Sequence, residues 1–264
     1  MDRQVSLSWQ GTGFTDTGLA RQTNQDTFAV DNDLGLWIVA DGMGGHAGGS
    51  TASQLAVKAV NNNIASAARS FPDFRGRIDR VEELLRSAVA AADSLIRATA
   101  DTTPDLKGMG TTIVIGLFCP CPEPSIALAH IGDSRAYLIR TRCISPLTTD
   151  HSFVQRLVSE GRISFDEARI HPQQNVLLRA LGVEDRLPPD VTIHPLQPND
   201  IVILCTDGLT KMLEEQEILD CVLAFQGSSD QIGRHLIDAA NARGGKDNTT
   251  VIVIAPSRAD SSAP

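Results

Sequence analysis

Four aspartates lie where short apolar runs begin or end: Asp26 opens DTFAV, Asp41 closes LGLWIVADG, Asp207 closes DIVILCTDG and Asp247 opens DNTTVIVI. A carboxylate at a strand end is held by a rigid sheet at the point where the chain meets solvent, so several such ends can converge on one site. The chemistry open to them is metal ligation. Gly42 and Gly208 follow two of the aspartates, and glycine there lets the backbone turn tightly and offer a carbonyl to a cation. An all-oxygen donor set selects hard divalent ions, Mg²⁺ or Mn²⁺, over zinc. One DG alone is an ordinary turn dipeptide; four such aspartates spread along the chain favour a shared site.

The elements that must position them are short strands rich in β-branched residues and bounded by Gly or Asp, expected over 34–40, 111–118, 126–131, 135–140, 191–194, 201–206 and 249–254. The segment 126–140 reads as a hairpin turning at Gly132, Asp133 and Ser134, which places Asp133 at a strand end as well. Helical spacing links Ala52, Leu55, Ala56, Ala59, Val60 and Ile64, then Val81, Leu84, Leu85, Ala88, Ala92, Leu95 and Ile96. Ser50 is the expected cap of the first of these helices. Two further helices are expected over 215–224 and 230–242. Helices paired between groups of strands predict antiparallel sheets covered by helix pairs, an α+β fold, over a regular βαβ winding. Between 150 and 181 a short amphipathic helix with Phe153, Leu157 and Val158 precedes a polar stretch without strand character, the pattern of a lid or binding loop. The expected organisation is one catalytic domain over 1–255, with the helix and flap at 150–181 and a disordered polar tail at 256–264.

With 264 residues, 42% hydrophobic and 21% charged, the chain can bury a sizeable core and has the composition of a soluble globular protein. No apolar stretch approaches the ~20 residues of a membrane helix, and the N-terminus shows no apolar signal segment. A net charge of −9 argues against a nucleic-acid backbone as the main partner. The five cysteines are odd in number and irregularly placed, which reads as reduced thiols in a cytoplasmic protein. Cys119 and Cys121 form a CPC pair with no second pair at metal spacing.

The motifs ARQTNQD, VADGMGGHAGG, GMGTT, AHIGDSRAYL, LTTDHS, LLRALG, LCTDGL and KDNTTVIVI, in this order from about residue 15 to 254, resemble the metal-dependent Ser/Thr protein phosphatases of the type 2C or PPM family, in its bacterial branch. The resemblance implies a four-layer α-β-β-α sandwich of two antiparallel sheets. It implies a binuclear Mn²⁺ or Mg²⁺ centre at one edge that hydrolyses phosphoserine and phosphothreonine in proteins, reversing the action of a cognate Ser/Thr kinase. By resemblance, Asp41 bridges both ions, the Gly42 carbonyl binds one of them, and Asp207 and Asp247 complete the other. Asp26 matches the acid that orients water at the metals, Arg21 the arginine that holds the substrate phosphate, and Asp133 the acid that shares a third, weaker ion with Asp207. Phosphate hydrolysis independently needs a nucleophile at neutral pH and neutralised oxyanions, which two ions ~3.5–4 Å apart supply, and the Arg21 fork suits two phosphoryl oxygens.

Competing readings come from other classes. A phosphoprotein-binding pseudo-phosphatase would have lost a metal carboxylate, and none is lost here. A two-metal hydrolase of small phosphoesters or nucleic acid fits the acidic charge and the motif order less well. The glycines after Asp41 do not make a P-loop, because the Lys-Ser/Thr pair is missing. His46, on the same loop, is a minor candidate for a catalytic acid. Thr111 and Thr112 read as buried supports, and Asn248 as a residue fixing the backbone beside Asp247. Two positions depart from the family: Met43, where many animal members carry a proton-donating His, and Gln25, where members often have a carboxylate.

Overall fold

The computed structural model describes residues 8–44, 48–71, 73–120, 123–183, 188–225 and 227–257. Two antiparallel sheets lie face to face. One is ordered β1-β11-β10-β7-β8, from strands β1 (Trp9–Asp16), β7 (Arg135–Arg140), β8 (Cys143–Pro146), β10 (Ile201–Cys205) and β11 (Thr249–Pro256). The other is ordered β2-β3-β5-β6-β9, from β2 (Asp26–Asp31), β3 (Leu36–Met43), β5 (Ile113–Cys119), β6 (Ser125–Ile131) and β9 (Asp190–Pro195), with the two-residue β4 (Gly110–Thr111) paired to the end of β3. Helices α1 (Gly48–Ser70) and α2 (Ile78–Thr102) cover the second sheet. After the single turn α5 (Asp207–Thr210), helices α6 (Glu215–Ala224) and α7 (Ser229–Ala242) cover the first. The flap carries α3 (Phe153–Ser159) and α4 (Phe165–Arg169).

Three apolar layers hold the four structural layers together. Trp37, Val39, Val114, Leu128, Val202, Leu204, Ile252 and Ile254 fill the space between the sheets. Ile38, Ile115 and Leu117 point the other way, onto Val60, Ile64, Leu85 and Ile96 of the first helix pair. Ile203, Cys205, Val251 and Val253 likewise meet Ile218, Val222 and Leu236. The central strands are therefore buried on both faces, and each side chain of this kind stabilises by about 1.5–3 kcal/mol. The resulting α-β-β-α sandwich is the expected fold, with the helices paired as expected. The four described cysteines are free. Among the described residues no helix is long and apolar enough to cross a membrane.

Several local expectations are corrected. The segment 126–140 is no hairpin: both edges of β6 are taken by β5 and β9, while β7 pairs with β8 and β10. Residues 132–134 therefore cross from one sheet to the other. Ser50 does not cap α1; it is the third residue of a helix that opens on Gly48, and its hydroxyl accepts from Gln54. Strands β1, β2 and β8 are additions to the expected set, and β11 runs through Pro256, where the tail was expected to start; residues 258–264 lie outside the described residues. In the polar part of the flap, Ser164 and Glu167 form a reciprocal capping box that nucleates α4.

Candidate active site

Neither glycine after an aspartate makes a tight turn, since neither Gly42 nor Gly208 has a positive φ. Strand β3 runs on through Asp41 and Gly42, and Asp207 starts α5. Glycine is required instead for close approach of backbones. A Cβ on Gly42 would lie 2.1 Å from the Gly49 carbonyl oxygen at the start of α1, and one on Gly208 would lie 2.0 Å from the carbonyl oxygen of Asn248. The first contact packs α1 against the Asp41 strand; the second packs α5 against the segment carrying Asp247.

These approaches gather the predicted residues. A cleft of about 650 Å³ is lined by Arg21, Asp41, Gly42, Asp133, Asp207 and Asp247, along with Met43, Gln25, Asn248 and Lys211. Asp26 stands beneath it, paired in register with Asp41 across β2 and β3. Its Oδ2 accepts from the hydroxyls of Thr206 at 2.8 Å and Thr250 at 2.7 Å, while its Oδ1 is buried without a partner. Asp41 is fixed through its backbone: its amide donates to Thr112 Oγ1 at 3.0 Å, and its carbonyl accepts from the Thr112 amide at 2.9 Å and the Thr111 hydroxyl at 2.8 Å. Thr112 in turn meets Ser134 Oγ at 2.7 Å, tying the Asp41 strand to the crossing segment. The Arg135 guanidinium forks onto both carboxylate oxygens of Asp150 at 2.7 Å, locking the other end of that crossing to the start of the flap.

Asn248 organises the loop before Asp26. Its Nδ2 donates to the carbonyls of Thr17 at 2.9 Å and Thr23 at 3.0 Å, and its Oδ1 accepts from the Gln25 amide at 2.8 Å. The loop so held presents Arg21, whose Nη2 donates to Asp247 Oδ2 at 3.0 Å. Across the cleft, Lys211 follows Asp207 by one helical turn, and its Nζ contacts Asp207 Oδ2. Four carboxylates thus face two cationic side chains. Burial, reinforced by Asp207 and by Asp26, holds the Asp41 carboxyl well above the usual carboxylate range. Burial with Asp207 and Asp150 pushes Asp133 up to about 8, and burial pushes Asp26 up to about 7 against the two threonine hydrogen bonds. On Lys211 the neighbouring acids Asp207, Asp133 and Asp247 outweigh burial and raise the pKa. Asp207 Oδ1 is buried without a partner. A crowded, oxygen-only set with an orphaned carboxylate oxygen fits hard divalent cations.

His130, His151 and Asp190 also gather within ligand distance of one another, on the far side of the Gly132 peptide. Arg179 fills that cluster: its Nη1 donates to Asp190 Oδ1 at 2.8 Å and lies 2.8 Å from His151 Nε2. The Gly132 amide donates to His151 Nδ1 at 3.2 Å and the Gly132 carbonyl meets His130 Nε2 at 2.9 Å, so the two rings grip the peptide before Asp133. Neither this grip nor Lys211 was foreseen from the sequence; the i,i+4 spacing of Asp207 and Lys211 was the available signal for the latter. His46 lies outside the described residues.

Comparison with known proteins agrees with this arrangement. Residues 14–249 match the family model described as Protein phosphatase 2C. The chain is similar to the serine/threonine phosphatase stp of Listeria welshimeri, 36% identical over 243 residues, covering 91% of this chain and 93% of that protein. It is similar to the serine/threonine protein phosphatase PstP of Mycobacterium tuberculosis, 37% identical over 250 residues, covering 95% of this chain and 45% of that protein. A crystal structure of the catalytic domain of PstP in complex with two manganese ions superposes with a TM-score of 0.82 at 34% identity, over 96% of this chain and all of that one. With the motifs, the fold and these relatives in agreement over nearly its whole length, the chain belongs to the protein phosphatase 2C family of serine/threonine phosphatases.

Proposed function

We propose that this chain removes phosphate from phosphoserine and phosphothreonine in cytoplasmic proteins phosphorylated by a cognate Ser/Thr kinase, at a two-ion centre held by Asp41, the Gly42 carbonyl, Asp207 and Asp247. The observation that carries this reading is the convergence of those acids on one cleft, with Asp207 Oδ1 buried and unpartnered. Two Mn²⁺ or Mg²⁺ ions bound there would supply a water acidic enough to attack phosphorus at neutral pH and would neutralise phosphoryl oxygens. By the family resemblance Asp41 would be the ligand shared by the two ions, and its backbone is held for that role by Thr111 and Thr112. Arg21 is exposed at the rim and already oriented by Asp247, so it can turn its fork to the incoming phosphate. Asp26, fixed by two hydroxyls, orients water from below through its free Oδ1. Met43 lines the cleft and cannot supply a proton to the leaving serine or threonine oxygen. Segment 162–174 of the flap is the specificity element, acting on the protein around the phosphorylated residue.

Mn²⁺-dependent phosphate release from a phosphothreonine peptide, compared with DNA and small phosphomonoesters, tests the reading. Preferential turnover of the peptide, abolished in a folded Asp41→Asn protein, is expected. Binding without turnover would identify a pseudo-phosphatase, and preference for a small phosphoester would identify a different hydrolase.

A further inference from the structure

Asp207 divides its two oxygens between different surroundings. Oδ1 is buried without a partner, whereas Oδ2 is in contact with the ammonium of Lys211. Lys211 is placed there by backbone, since its amide donates to the Asp207 carbonyl at 2.8 Å, closing the helical turn that puts the two side chains on one face. The same ammonium lines the cleft with Asp133 and lies within electrostatic reach of that carboxylate and of Asp247. A lysine ammonium is a compact point charge with three donors, and it competes directly with a hydrated divalent ion for a carboxylate oxygen it already holds. The family resemblance places a third, weak ion between Asp133 and Asp207, where this chain carries a tethered cation.

We propose that Lys211 replaces that third ion: it occupies Asp207 Oδ2 and faces Asp133, so the centre of this protein holds two ions and not three. The inference rests on the two-ion assignment of Asp41, Gly42, Asp207 and Asp247. Lys211 leaves Asp207 Oδ1 for the binuclear pair and keeps Asp133 from acting as a metal ligand. Asp133 then faces the ammonium across the cleft, and Lys211 is a positioning residue for Asp207.

The test is calorimetric titration of Mn²⁺ into the metal-free full chain, which counts sites without measuring activity. Wild-type protein should show two sites. Lys211→Gln should keep both and gain a third, weaker site, at least about tenfold tighter than any residual third binding in the wild type, because a full like charge at contact distance has been removed. Lys211→Arg, which keeps the cation, should show two sites, and adding Asp133→Ala to Lys211→Gln should remove the new one. Circular dichroism and the retained tight sites report folding. A third site of equal affinity in wild type and Lys211→Gln, or none in Lys211→Gln, overturns the proposal. Absence of the two tight sites in wild type would overturn the metal assignment beneath it, which is a separate result.

Discussion

Asn248→Ala should lower both stability and substrate affinity while leaving the cleft aspartates in place. The residue is 5% exposed, and its side chain makes three hydrogen bonds, to the Thr17 and Thr23 carbonyls and from the Gln25 amide. At about 1 kcal/mol each for bonds whose partners can be partly rehydrated, their loss amounts to roughly 3 kcal/mol. For a domain of this size that corresponds to a fall in Tm of about 6–12 °C. The loop they pin carries Arg21, so phosphate binding should weaken with stability. The backbone amide of residue 248, which donates to Asp247 Oδ1 at 2.9 Å, survives the substitution, so Mn²⁺ affinity should change little. Differential scanning calorimetry, steady-state kinetics on a phosphothreonine peptide and Mn²⁺ titration read these effects separately. A Tm within about 2 °C of wild type together with an unchanged KM would refute the view that Asn248 is the clamp of the Arg21 loop.

Arg21→Ala should raise KM about 10- to 100-fold, the loss of a charge-assisted contact, with a smaller fall in kcat; a large kcat loss at unchanged KM would instead make Arg21 specific to the transition state. Gly42→Ala forces a Cβ to within 2.1 Å of the Gly49 carbonyl oxygen, so thermal denaturation should show a loss of about 3 kcal/mol or more together with weakened Mn²⁺ binding, and wild-type values for both would contradict the packing argument. His130, buried against His151, has its pKa pushed down from 6.5 to about 4. The unfolded chain therefore takes up its proton first, and this contribution is intact above pH 6.5 and lost as pH falls towards 4. Denaturant unfolding should show wild type losing about 3 kcal/mol more than His130→Gln across that window; parallel curves would show that the ring is not buried neutral.

Much of the candidate site was legible because its acids stand at the ends of strands whose β-branched runs stand out. Asp41 and Asp207 end apolar stretches that are buried on both faces, and Asp133 and Asp247 flank similar ones. Strand β1 was not legible, since WQGTGFTD contains two glycines and little alternation. Its glycines are covered by aromatic rings, for a Cβ on Gly11 would meet Trp37 at 2.3 Å and one on Gly13 would meet Phe28 at 2.3 Å. That complementarity lies in residues distant along the chain. The crossing at Gly132–Ser134 was misread because a GDS turn between two strands looks the same locally whether the strands pair or part. Only the competition of β5 and β9 for the edges of β6 decides it. At the Asp41-Gly42 and Asp207-Gly208 pairs the glycines serve close backbone approach in place of the expected tight turn.

The central claim is that Asp41, the Gly42 carbonyl, Asp207 and Asp247 hold a pair of divalent ions. Anomalous diffraction at the manganese edge from crystals grown in Mn²⁺ tests it directly. Two peaks about 3.5–4 Å apart, with Asp41 touching both, are expected. A single ion, or manganese seated at His130, His151 and Asp190 in place of the cleft, would contradict it.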